Sequence, residues 1–545
     1  LRVSTTTKPT AYTLNKHPVE CLSTIDTVVS GNRVVGWKIS SQQKTVGGDC
    51  GMPYVDANGC LVGVHSAAAN YGNTKLVSRA VTKRQVRQCS ETWKGLAVER
   101  NTISMGPLVG ATKYHKTLVH WDDSYAPANF GPTDTRCPRP LPDVIAEQLQ
   151  PYQEDPPCID EVLLARGVKH VSAFLRHVLG AHRRKRIEMV DAFKSLNMKS
   201  SNGPWFPGVK RDYIDEDGNP NAMLTSYIQT KLNDIKVGVY KHQYRLSLKD
   251  ELRPLEKVLA GKRRLLWGCD VGLATGCAMV FKELFDDMCN AAPFIGCAVG
   301  IDMDNVQTVR TINDIFTGTH LVCADYSKWD STLHPKVIGA AIDILMEFVV
   351  EDDFAIAIAN VLKSRPDGLV YDLVVPTKKG LPSGMPGTSM INSVSHMVLF
   401  AAAVLGVYQK FNAPYSGNVF QHERMICYGD DCVYGFCTAT ASKASHFWDT
   451  MRAFGMKPTN ADKTGDPTFT HTIQFLKRTI VCTDGHLLAA LDKSSLLRQL
   501  NWLKGPKTTI MDPIYPPDPV GRLDQVINAV WRAAAWGEEF FNEFE

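Results

Sequence analysis

Two adjacent carboxylates lie at the tip of an apolar hairpin pattern in the segment Tyr428-Gly429-Asp430-Asp431. Short apolar runs flank the tip, and a Gly-Asp pair between such runs is typical of a β-hairpin turn. Neighbouring carboxylates repel each other unless a cation lies between them. The segment therefore predicts either a cation site or an ordinary solvated turn, and the tetrapeptide alone does not separate the two.

A second pair of acids, upstream in the chain, favours the cation site. The apolar run Leu321–Ala324 ends at Asp325, and Asp330 follows shortly after it. Carboxylates at neighbouring strand ends supply the oxygen ligands that hard divalent cations prefer. Asp325, Asp430 and Asp431 are thus candidate ligands for two divalent ions in phosphoryl transfer.

Five motifs, in a fixed order, connect these acids to a known family. They are Leu265–Gly268 (LLWG), Asp325–Ser331 (DYSKWDS), Gly380–Pro386 (GLPSGMP), Tyr428–Asp431 (YGDD) and Phe475–Arg478 (FLKR). This ordered set resembles the motifs of viral RNA-dependent RNA polymerases, and the residues within the motifs are most similar to those of caliciviruses. The resemblance covers residues 92–545 and implies an α+β fold of the right-hand type, with fingers, palm and thumb.

The resemblance also divides the chain into parts. The expected parts are an all-β segment (1–91), an extended strap (92–157), fingers (158–315), a palm with a fingers insertion (316–485) and a thumb (486–545). Eight prolines between residues 127 and 157 are expected to exclude long regular elements from the strap. The apolar run Met397–Val407 is too short for a membrane span and predicts a buried helix.

The same resemblance assigns roles to the acids and to one lysine. It implies that Asp325 binds both of two Mg²⁺ or Mn²⁺ ions, that Asp430 binds the catalytic one, and that Asp431 supports it. One ion would lower the pKa of the primer 3′-hydroxyl, and the other would neutralise the departing pyrophosphate. Lys463 matches the family position of a general acid that protonates this pyrophosphate. A structural ion pair is the alternative for Lys463.

Basic residues between positions 249 and 264 match the family motif that floors the triphosphate channel. A nucleoside triphosphate brings about four negative charges, which fixed ammonium and guanidinium groups must meet. The candidates are Lys249, Lys262, Arg263 and Arg264. For each of them an ordinary surface charge is the alternative.

Asp330 predicts the choice of sugar. Reverse transcriptases share the paired aspartates but place a bulky side chain near this position, where it blocks a ribose 2′-hydroxyl. An aspartate can accept a hydrogen bond from that hydroxyl, and Ser383, Thr388 and Asn392 are available to complete the network. A polar site built for a hydroxyl rejects the analogue that lacks it, so the sequence favours RNA synthesis over DNA synthesis.

Residues 1–90 predict an all-β segment with a second candidate chemistry. Cys50 lies in the glycine-rich turn Gly47–Gly51, where backbone N–H groups can form an oxyanion hole, and His65 follows. The arrangement resembles the second half of the chymotrypsin-like cysteine proteases of caliciviruses and picornaviruses. This implies that Cys50 is the nucleophile and that His65 lines a pocket reading Gln or Glu. A turn cysteine and a core histidine are the alternative.

The protease resemblance carries two further expectations. In that family the general base and its acid partner lie on a first barrel, and His17 is too close to Cys50 to be that base. We therefore expect this half to need upstream residues for cleavage. Glu91-Thr92 is the expected processing site, with Glu99-Arg100 second, because the composition changes there. The chain opens in mid-pattern at Leu1, which suggests a piece of a longer polyprotein.

Composition sets broad limits. The chain has 545 residues, 44% of them hydrophobic, which suits several domains with real cores. A net charge of +4 does not by itself indicate nucleic-acid binding. Its 15 cysteines are scattered singly, which is typical of reduced core residues in a cytosolic protein.

Together these features predict an RNA-dependent RNA polymerase that replicates and transcribes a positive-strand RNA virus genome. Expected partners are template and primer RNA, NTPs, an upstream protease half and, as a candidate primer, a genome-linked protein. The expected location is the host-cell cytoplasm, at membrane-associated replication complexes. The alternatives are a reverse transcriptase, a polyprotein-processing cysteine protease whose remainder is a binding module, and an RNA-binding protein with an inactive palm.

Overall fold

The structure is a computed structural model that describes the strands between residues 11 and 79, most of residues 93–137, and residues 139–509 and 519–545. From residue 93 onwards, helices and strands alternate, as expected for the α+β class. The strands of this part are Glu99–Arg100, Thr112–Lys116, Tyr125–Pro127, Gln243–Leu248, Leu252–Pro254, Leu265–Gly268, His320–Tyr326, Asp367–Val370, Leu373–Pro376, Arg424–Tyr428, Asp431–Phe436, Pro458–Asn460, Phe469–Thr470, Gln474–Phe475, Arg478–Thr483, His486–Leu491 and Trp502–Thr508.

The described residues also form α-helices of 4 to 23 residues. The α-helices are Leu141–Gln153, Glu161–Leu179, Met189–Lys194, Ala222–Lys236, Leu255–Leu259, Val271–Ala291, Val306–Phe316, Trp329–Thr332, Pro335–Met346, Asp353–Lys363, Thr388–Lys410, Val419–His422, Thr438–Ala441, Ala444–Ala453, Lys493–Asn501, Pro519–Ala533 and Glu538–Phe544, with 3₁₀ turns at Lys210–Tyr213 and Ala534–Trp536.

The N-terminal strands close into a six-stranded antiparallel barrel. In barrel order they are Ala11–Thr13, Pro18–Val29, Asn32–Ser40, Thr74–Arg79, Leu61–Ala68 and Pro53–Asp56. Ile39, Tyr54 and Val62 are buried, as expected when alternate side chains of a strand point inward. The likeness of this barrel to half of a chymotrypsin-like protease stays a prediction, because Cys50 and Glu91-Thr92 lie outside the described residues.

The palm is built on an antiparallel sheet whose central strand is His320–Tyr326. The hairpin Arg424–Tyr428 and Asp431–Phe436 pairs on one side of it, and Pro458–Asn460 pairs on the other. Ala324 lies opposite Cys432, so the end of the central strand and the hairpin tip fall at the same edge of the sheet. The three long strands of this sheet are rich in buried apolar residues, which fixes their register.

One long helix, Thr388–Lys410, forms the centre of the core behind this sheet. It packs against Glu161–Leu179, Ala444–Ala453 and Pro335–Met346, and most of its side chains are fully buried. By length and composition alone this helix could cross a membrane, but 94% of its most apolar window is buried inside the protein. The prediction of a buried helix over Met397–Val407 is confirmed.

Two short strands of the 92–157 segment connect distant parts of the molecule. Tyr125–Pro127 pairs with Leu252–Pro254, which falls in the expected fingers, and Thr112–Lys116 pairs with Trp502–Thr508, which falls in the expected thumb. The segment thus bridges the two sides of the molecule by backbone hydrogen bonds. Because these bonds do not depend on side-chain identity, sequence patterns are poor predictors of which strands pair.

The expectation that prolines exclude long elements from this segment is wrong. The helix Leu141–Gln153 runs for 13 residues and includes Pro151. Pro140 is its N-cap residue and Pro142 lies in its first turn, where a missing N–H costs nothing because that donor has no helical partner. Pro151 falls in the last turn, so the bond it removes is near the end. Prolines at the ends of a helix therefore mark its limits rather than exclude it.

Candidate active site

The hairpin tip predicted from Tyr428–Asp431 forms as a two-residue turn. Tyr428 lies opposite Asp431, which leaves Gly429 and Asp430 as the turn residues. Gly429 has a φ of 66°, a conformation that residues with a Cβ adopt reluctantly and that tight hairpin turns require. The turn presents Asp430 at an exposed position.

Asp325 ends the central strand beside this tip. Its Oδ2 lies 2.8 Å from Nζ of Lys463, and the two groups form an ion pair. Its Oδ1 is buried and has no hydrogen-bond partner among the residues that the structure describes. A buried carboxylate oxygen without a partner is costly, so this atom is a ready ligand for a donor or a cation.

Asp431 contacts a second turn instead of pointing at solvent. Its Oδ2 accepts a 2.8 Å hydrogen bond from the backbone N–H of Leu476. Leu476 and Lys477 form the turn between Phe475 and Arg478, with φ values of 52° and 57°. Two successive non-glycine residues in the left-handed region are unfavourable by themselves. The Asp431 carboxylate therefore helps to hold the FLKR turn against the catalytic hairpin.

The environment raises the pKa of three of the acids, Asp330, Asp430 and Asp431. Burial raises the pKa of Asp431 to about 6, although the Leu476 N–H opposes the shift. Burial and the charge of Asp430 raise the pKa of Asp330 to about 6. Asp430 is exposed at the tip, yet the surrounding walls replace much of its bulk water, and this together with the charge of Asp325 raises its pKa. In each case burial is the largest cause, and the negative charge of a neighbouring acid adds to it.

Within the part of the chain that the structure describes, no group of three or more His, Cys, Asp or Glu side chains is gathered around one point as a metal site. Like charges repel, and Lys463 already gives Asp325 a counter-charge. The unpartnered Oδ1 of Asp325 and the raised pKa of Asp430 nevertheless fit a divalent cation, because such an ion would relieve both penalties.

A cavity of about 390 Å³, here called the central cavity, opens beside these acids. Asp330 and Asp430 face it from the palm, and basic residues face it from the fingers. Its lining residues are Glu147, Gln148, Pro151, Tyr152, Lys249, Arg253, Lys262, Arg264, Leu265, Trp267, Tyr326, Lys328, Trp329, Asp330, Ser331, Ser383, Asp430 and Lys463. Lys249, Arg253, Lys262 and Arg264 are called the basic wall below. The four acids Asp325, Asp330, Asp430 and Asp431 are together called the acidic wall, although only Asp330 and Asp430 of these line the cavity itself.

Glu251 organises the basic wall. Arg264 donates two hydrogen bonds to its carboxylate, one of them 2.8 Å long. Lys249 and Arg253 lie 3.8 and 3.9 Å from the same carboxylate. The Glu251 side chain is only 9% exposed, so its charge is poorly screened and holds the three cations in fixed positions. Hydrogen bonding to Glu251 raises the pKa of Arg264, which stays fully charged.

The structure brings some of the predicted triphosphate ligands to the cavity but not all of them. Lys249, Lys262 and Arg264 line it, and Arg253, which sequence reasoning left out, lines it as well. Arg263 does not: its side chain is 1% exposed, lies 3.7 Å from Asp134 and packs over the ring of Phe130. Adjacent residues of an extended segment point to opposite sides, which explains the split between 263 and 264.

The predicted ribose-reading set is partly assembled. Asp330 and Ser383 line the cavity, and Nδ2 of Asn392 donates a 3.3 Å hydrogen bond to Oδ1 of Asp330. Trp329 Nε1 donates to Oδ1 of Asn392 at 3.1 Å, so this amide is oriented from behind. Thr388 does not line the cavity. Its hydroxyl caps the preceding loop by donating to the carbonyl of Met385.

Ser383 reaches the cavity because its neighbour has no side chain. A Cβ on Gly384 would lie 1.6 Å from the carbonyl oxygen of Trp267. Only glycine lets the loop lie directly on the strand Leu265–Gly268. The GLPSGMP motif is thus explained by packing as well as by chemistry.

Three further polar residues near the site have no counterpart in the sequence predictions. Glu251 joins the basic wall, and Ser393 and His396 contact the backbone of Gly429 from the buried helix. Glu251 lies inside a charged run that sequence reasoning treated only through its basic members. Ser393 and His396 interrupt an otherwise apolar helix, and a polar pair at i and i+3 in such a helix is the signal that could have revealed them.

For the protease prediction, the structure gives only the position of His65. It is buried in the barrel, and its Nδ1 lies 3.4 Å from the hydroxyl of Tyr54. Cys50 lies outside the described residues, so the structure does not relate the two. Both protease roles therefore stay predictions.

Comparisons with known proteins agree with this geometry. The chain is 35% identical over 542 residues to the genome polyprotein of feline calicivirus, covering 95% of the chain and 30% of the polyprotein. It is 34% identical to the genome polyprotein of vesicular exanthema of swine virus, covering 94% of the chain and 28% of that polyprotein. The chain thus spans less than a third of the length of these relatives.

A solved structure shows the same fold. The Sicinivirus 3Dpol RNA-dependent RNA polymerase superposes with a TM-score of 0.65, covering 82% of this chain and 92% of that one, at 22% identity. This likeness establishes the right-hand polymerase fold. The sequence profile of the viral RNA-dependent RNA polymerases matches residues 122–544, which include all five motifs. With its acids and its cavity in place, the chain belongs to the family of viral RNA-dependent RNA polymerases.

Proposed function

We propose that this RNA-directed RNA polymerase extends a primer on viral RNA by two-metal nucleotidyl transfer, and so replicates and transcribes a positive-strand genome. One observation carries the proposal. The unpartnered buried oxygen of Asp325 and the raised pKa of Asp430 mark a site of unbalanced negative charge at one wall of the central cavity. The opposite wall carries fixed cations.

The acids fit the divalent ions that polymerases of this family use. Asp325 and Asp430 would hold them, with Asp431 in support. Two Mg²⁺ or Mn²⁺ ions would supply activation of the primer 3′-hydroxyl and neutralisation of the leaving pyrophosphate. Asp431 is already committed to Leu476 through one oxygen, which suits a supporting role better than a primary one.

The basic wall would bind the triphosphate. Lys249, Arg253 and Arg264 present ammonium and guanidinium donors whose positions are set by Glu251. Lys262 lines the same wall. Because these groups are oriented in advance, little reorganisation is needed when the anion arrives. Arg263 is not included, since it is buried against Asp134.

The ribose would be read by Asp330. Its carboxylate faces the cavity and is oriented by Asn392, so it can accept a hydrogen bond from a 2′-hydroxyl. Ser383 lies on the same cavity and can add a second contact. A dNTP would leave the Asp330 oxygen unpaired, which favours RNA over DNA synthesis and argues against a reverse transcriptase.

Lys463 would deliver a proton to the pyrophosphate. It lines the cavity and is 66% exposed on a turn with a φ of 67°. Its Nζ contacts Asp325, so it must exchange that partner for a phosphate oxygen before it can act as a general acid. An exposed lysine on a short turn can make this exchange by side-chain rotation alone.

The expected setting follows from the resemblance to calicivirus polyproteins. We propose template and primer RNA and NTPs as substrates, a genome-linked protein as a candidate primer, and an upstream protease half as a neighbour in the polyprotein. The proposed location is the host-cell cytoplasm, at membrane-associated replication complexes.

Primer extension tests the proposed function. The chain is mixed with a primed RNA template and one labelled NTP, first with EDTA and then with Mg²⁺ or Mn²⁺ restored. We expect extension only with the divalent ion and a strong preference for NTP over dNTP. A preference for dNTP would indicate a reverse transcriptase. Retention of the RNA without extension would indicate an RNA-binding protein with an inactive palm.

A further inference from the structure

The catalytic turn is held from behind by two side chains of the buried helix Thr388–Lys410. The backbone N–H of Gly429 donates a 3.1 Å hydrogen bond to Oγ of Ser393. The carbonyl oxygen of Gly429 lies 2.7 Å from Nδ1 of His396. Ser393 and His396 are one helical turn apart and both are fully buried. Both polar groups of the residue before Asp430 are therefore fixed by one rigid element.

The partners of His396 determine its tautomer. A carbonyl oxygen can only accept, so Nδ1 must carry the hydrogen. Burial lowers the pKa of His396 to about 4, which keeps the ring neutral at physiological pH. Nε2 then accepts a hydrogen bond from the hydroxyl of Tyr434. The oxygen of Tyr434 in turn accepts from the hydroxyl of Tyr326 at 2.8 Å. A directed chain of hydrogen bonds thus runs from the palm strands to the Gly429 carbonyl.

The same helical turn also carries the group that orients Asp330. Asn392 precedes Ser393 and donates to the Asp330 carboxylate. The ring of Trp329 donates to Asn392 and packs over the ring of His396, with centroids 4.5 Å apart and planes 30° apart. A continuous set of contacts therefore links Asp330, through Asn392 and Trp329, to His396 and so to the Gly429 carbonyl.

We propose that Ser393 and His396 are positioning residues that set the peptide planes carrying Asp430, and that their helix couples recognition of the ribose hydroxyl to the placement of this acid. The inference rests on the proposed function, because it assumes that Asp330 reads the ribose and that Asp430 serves the reaction. Neither Ser393 nor His396 lines the central cavity. Their direct contact with the catalytic turn is through the backbone of Gly429.

The chain offers a matched control on the same helix. Ser395 is fully buried like Ser393, but its hydroxyl has no hydrogen-bond partner within the described part of the chain. Ser393→Ala and Ser395→Ala therefore remove the same atom from the same buried helix, and only the first releases the catalytic turn. For His396, Asn places a donor near the position of Nδ1, whereas Leu removes it at similar volume.

The experiment measures single-nucleotide primer extension by the wild type and the four variants, each folded to the same extent by circular dichroism. We expect Ser393→Ala and His396→Leu to lower kcat by about tenfold to a hundredfold, the usual worth of one or two buried hydrogen bonds. KM for the NTP should change less than about twofold, since the basic wall is untouched. His396→Asn should recover most of kcat, and Ser395→Ala should match the wild type.

The NTP-over-dNTP ratio tests the coupling. We expect Ser393→Ala to lower this ratio several-fold although it touches neither nucleotide nor Asp330, and Ser395→Ala to leave it unchanged. Equal kcat in the two serine variants would overturn the clamp, and an unchanged ratio in Ser393→Ala would overturn the coupling. If His396→Leu does not fold, the comparison of Ser393→Ala with Ser395→Ala still tests the proposal. An inactive wild type would instead refute the proposed function, so the two failures are distinguishable.

Discussion

Each of the two walls contacts a side chain of opposite charge, and these two counter-charges are built differently. On the basic wall, Glu251 is 9% exposed and touches three cations. On the acidic wall, Lys463 is 66% exposed and pairs with Asp325. A buried counter-charge is costly to remove, whereas an exposed one exchanges easily with another partner.

The difference shows which side of the site is fixed in advance. Glu251 keeps the basic wall in one arrangement, ready for a polyanion. Lys463 gives Asp325 only partial compensation, since the other carboxylate oxygen stays unpartnered. We therefore expect the acidic wall to change its contacts during the reaction and the basic wall to keep them.

The largest expected effect comes from breaking the acidic wall. Asp325→Asn and Asp430→Asn keep the shape but lose the charge that a divalent cation needs. Because such a cation supplies several kcal/mol of transition-state stabilisation, incorporation should fall by roughly a thousandfold or more. RNA affinity, measured by fluorescence anisotropy, should hardly change, since phosphate contacts carry it.

The control for these variants removes one negative charge from a surface position instead. Asp343 is 62% exposed and pairs only with Lys363 at the surface, so Asp343→Asn should extend primers like the wild type. Near-normal turnover in Asp325→Asn or Asp430→Asn would show that these carboxylates have another role.

Removing the exchangeable counter-charge should have the next largest effect. Lys463→Leu removes a general acid, which is typically worth about a hundredfold or more in the chemical step. Rapid-quench measurement should show this slowing with little change in NTP affinity. Lys463→His should recover part of the rate and lose it as pH rises above about 6.5, because only the protonated imidazole can donate. Lys457→Leu, an exposed neighbour, serves as the control. A loss confined to KM would indicate plain triphosphate binding.

Two adjacent arginines, Arg263 and Arg264, test whether the basic wall binds the triphosphate. Arg264→Ala should raise KM for the NTP about tenfold to a hundredfold, the worth of hydrogen bonds to a charged group. Arg263→Ala should leave KM unchanged and lower the melting temperature instead, because Asp134 loses a buried partner. Steady-state kinetics and a thermal melt on both variants check this. Equal KM effects would contradict the placement of the two side chains.

A smaller effect is expected from the residues of the acidic wall that are proposed to contact the ribose. Asp330→Ala and Asn392→Ala should reduce the preference for NTP over dNTP by about 1–3 kcal/mol, which is roughly fivefold to 150-fold. Turnover with NTP should fall less than this ratio does. Competition between labelled NTP and dNTP measures the change directly. A ratio unaltered in both variants would exclude the ribose-reading role.

The smallest effect should come from pH. The pKa of Asp431 is raised to about 6, so the carboxylate is ionised at pH 7.5 and mostly protonated at pH 5.5, where a proton competes with a cation. Between these values the ionised fraction falls by about fourfold, and Mn²⁺ affinity should weaken at least as much. Electron paramagnetic resonance of free Mn²⁺ measures it. Asp431→Asn should show a shallower pH dependence, while triphosphate binding to the basic wall should not weaken.

Sequence reasoning located the acids well because their signal is local. The Tyr428–Asp431 hairpin and the strand before Asp325 each combine an apolar run with an acid at its end, and the structure places both at one sheet edge. The buried helix over Met397–Val407 was equally plain from its composition. These features need no knowledge of distant contacts.

Features that depend on distant contacts were missed or misjudged. Arg263 and Arg264 look alike in sequence, and only packing against Asp134 separates them. The residue pair at 393 and 396 gains its meaning from Gly429, which lies on another element.

The strand pair between residues 112–116 and 502–508 has a consequence for how the enzyme matures. Its contacts span most of the chain, since His115 reaches the carbonyl of Pro506 across 391 positions. A ribosome releases a chain from its N-terminus, so the palm can fold while the second strand is still being made. We expect the bridge to close only when synthesis has passed residue 508. Ribosome-bound chains stalled before residue 502 should therefore fail to copy RNA even where the palm has folded, which would delay copying until the ribosome has passed this strand.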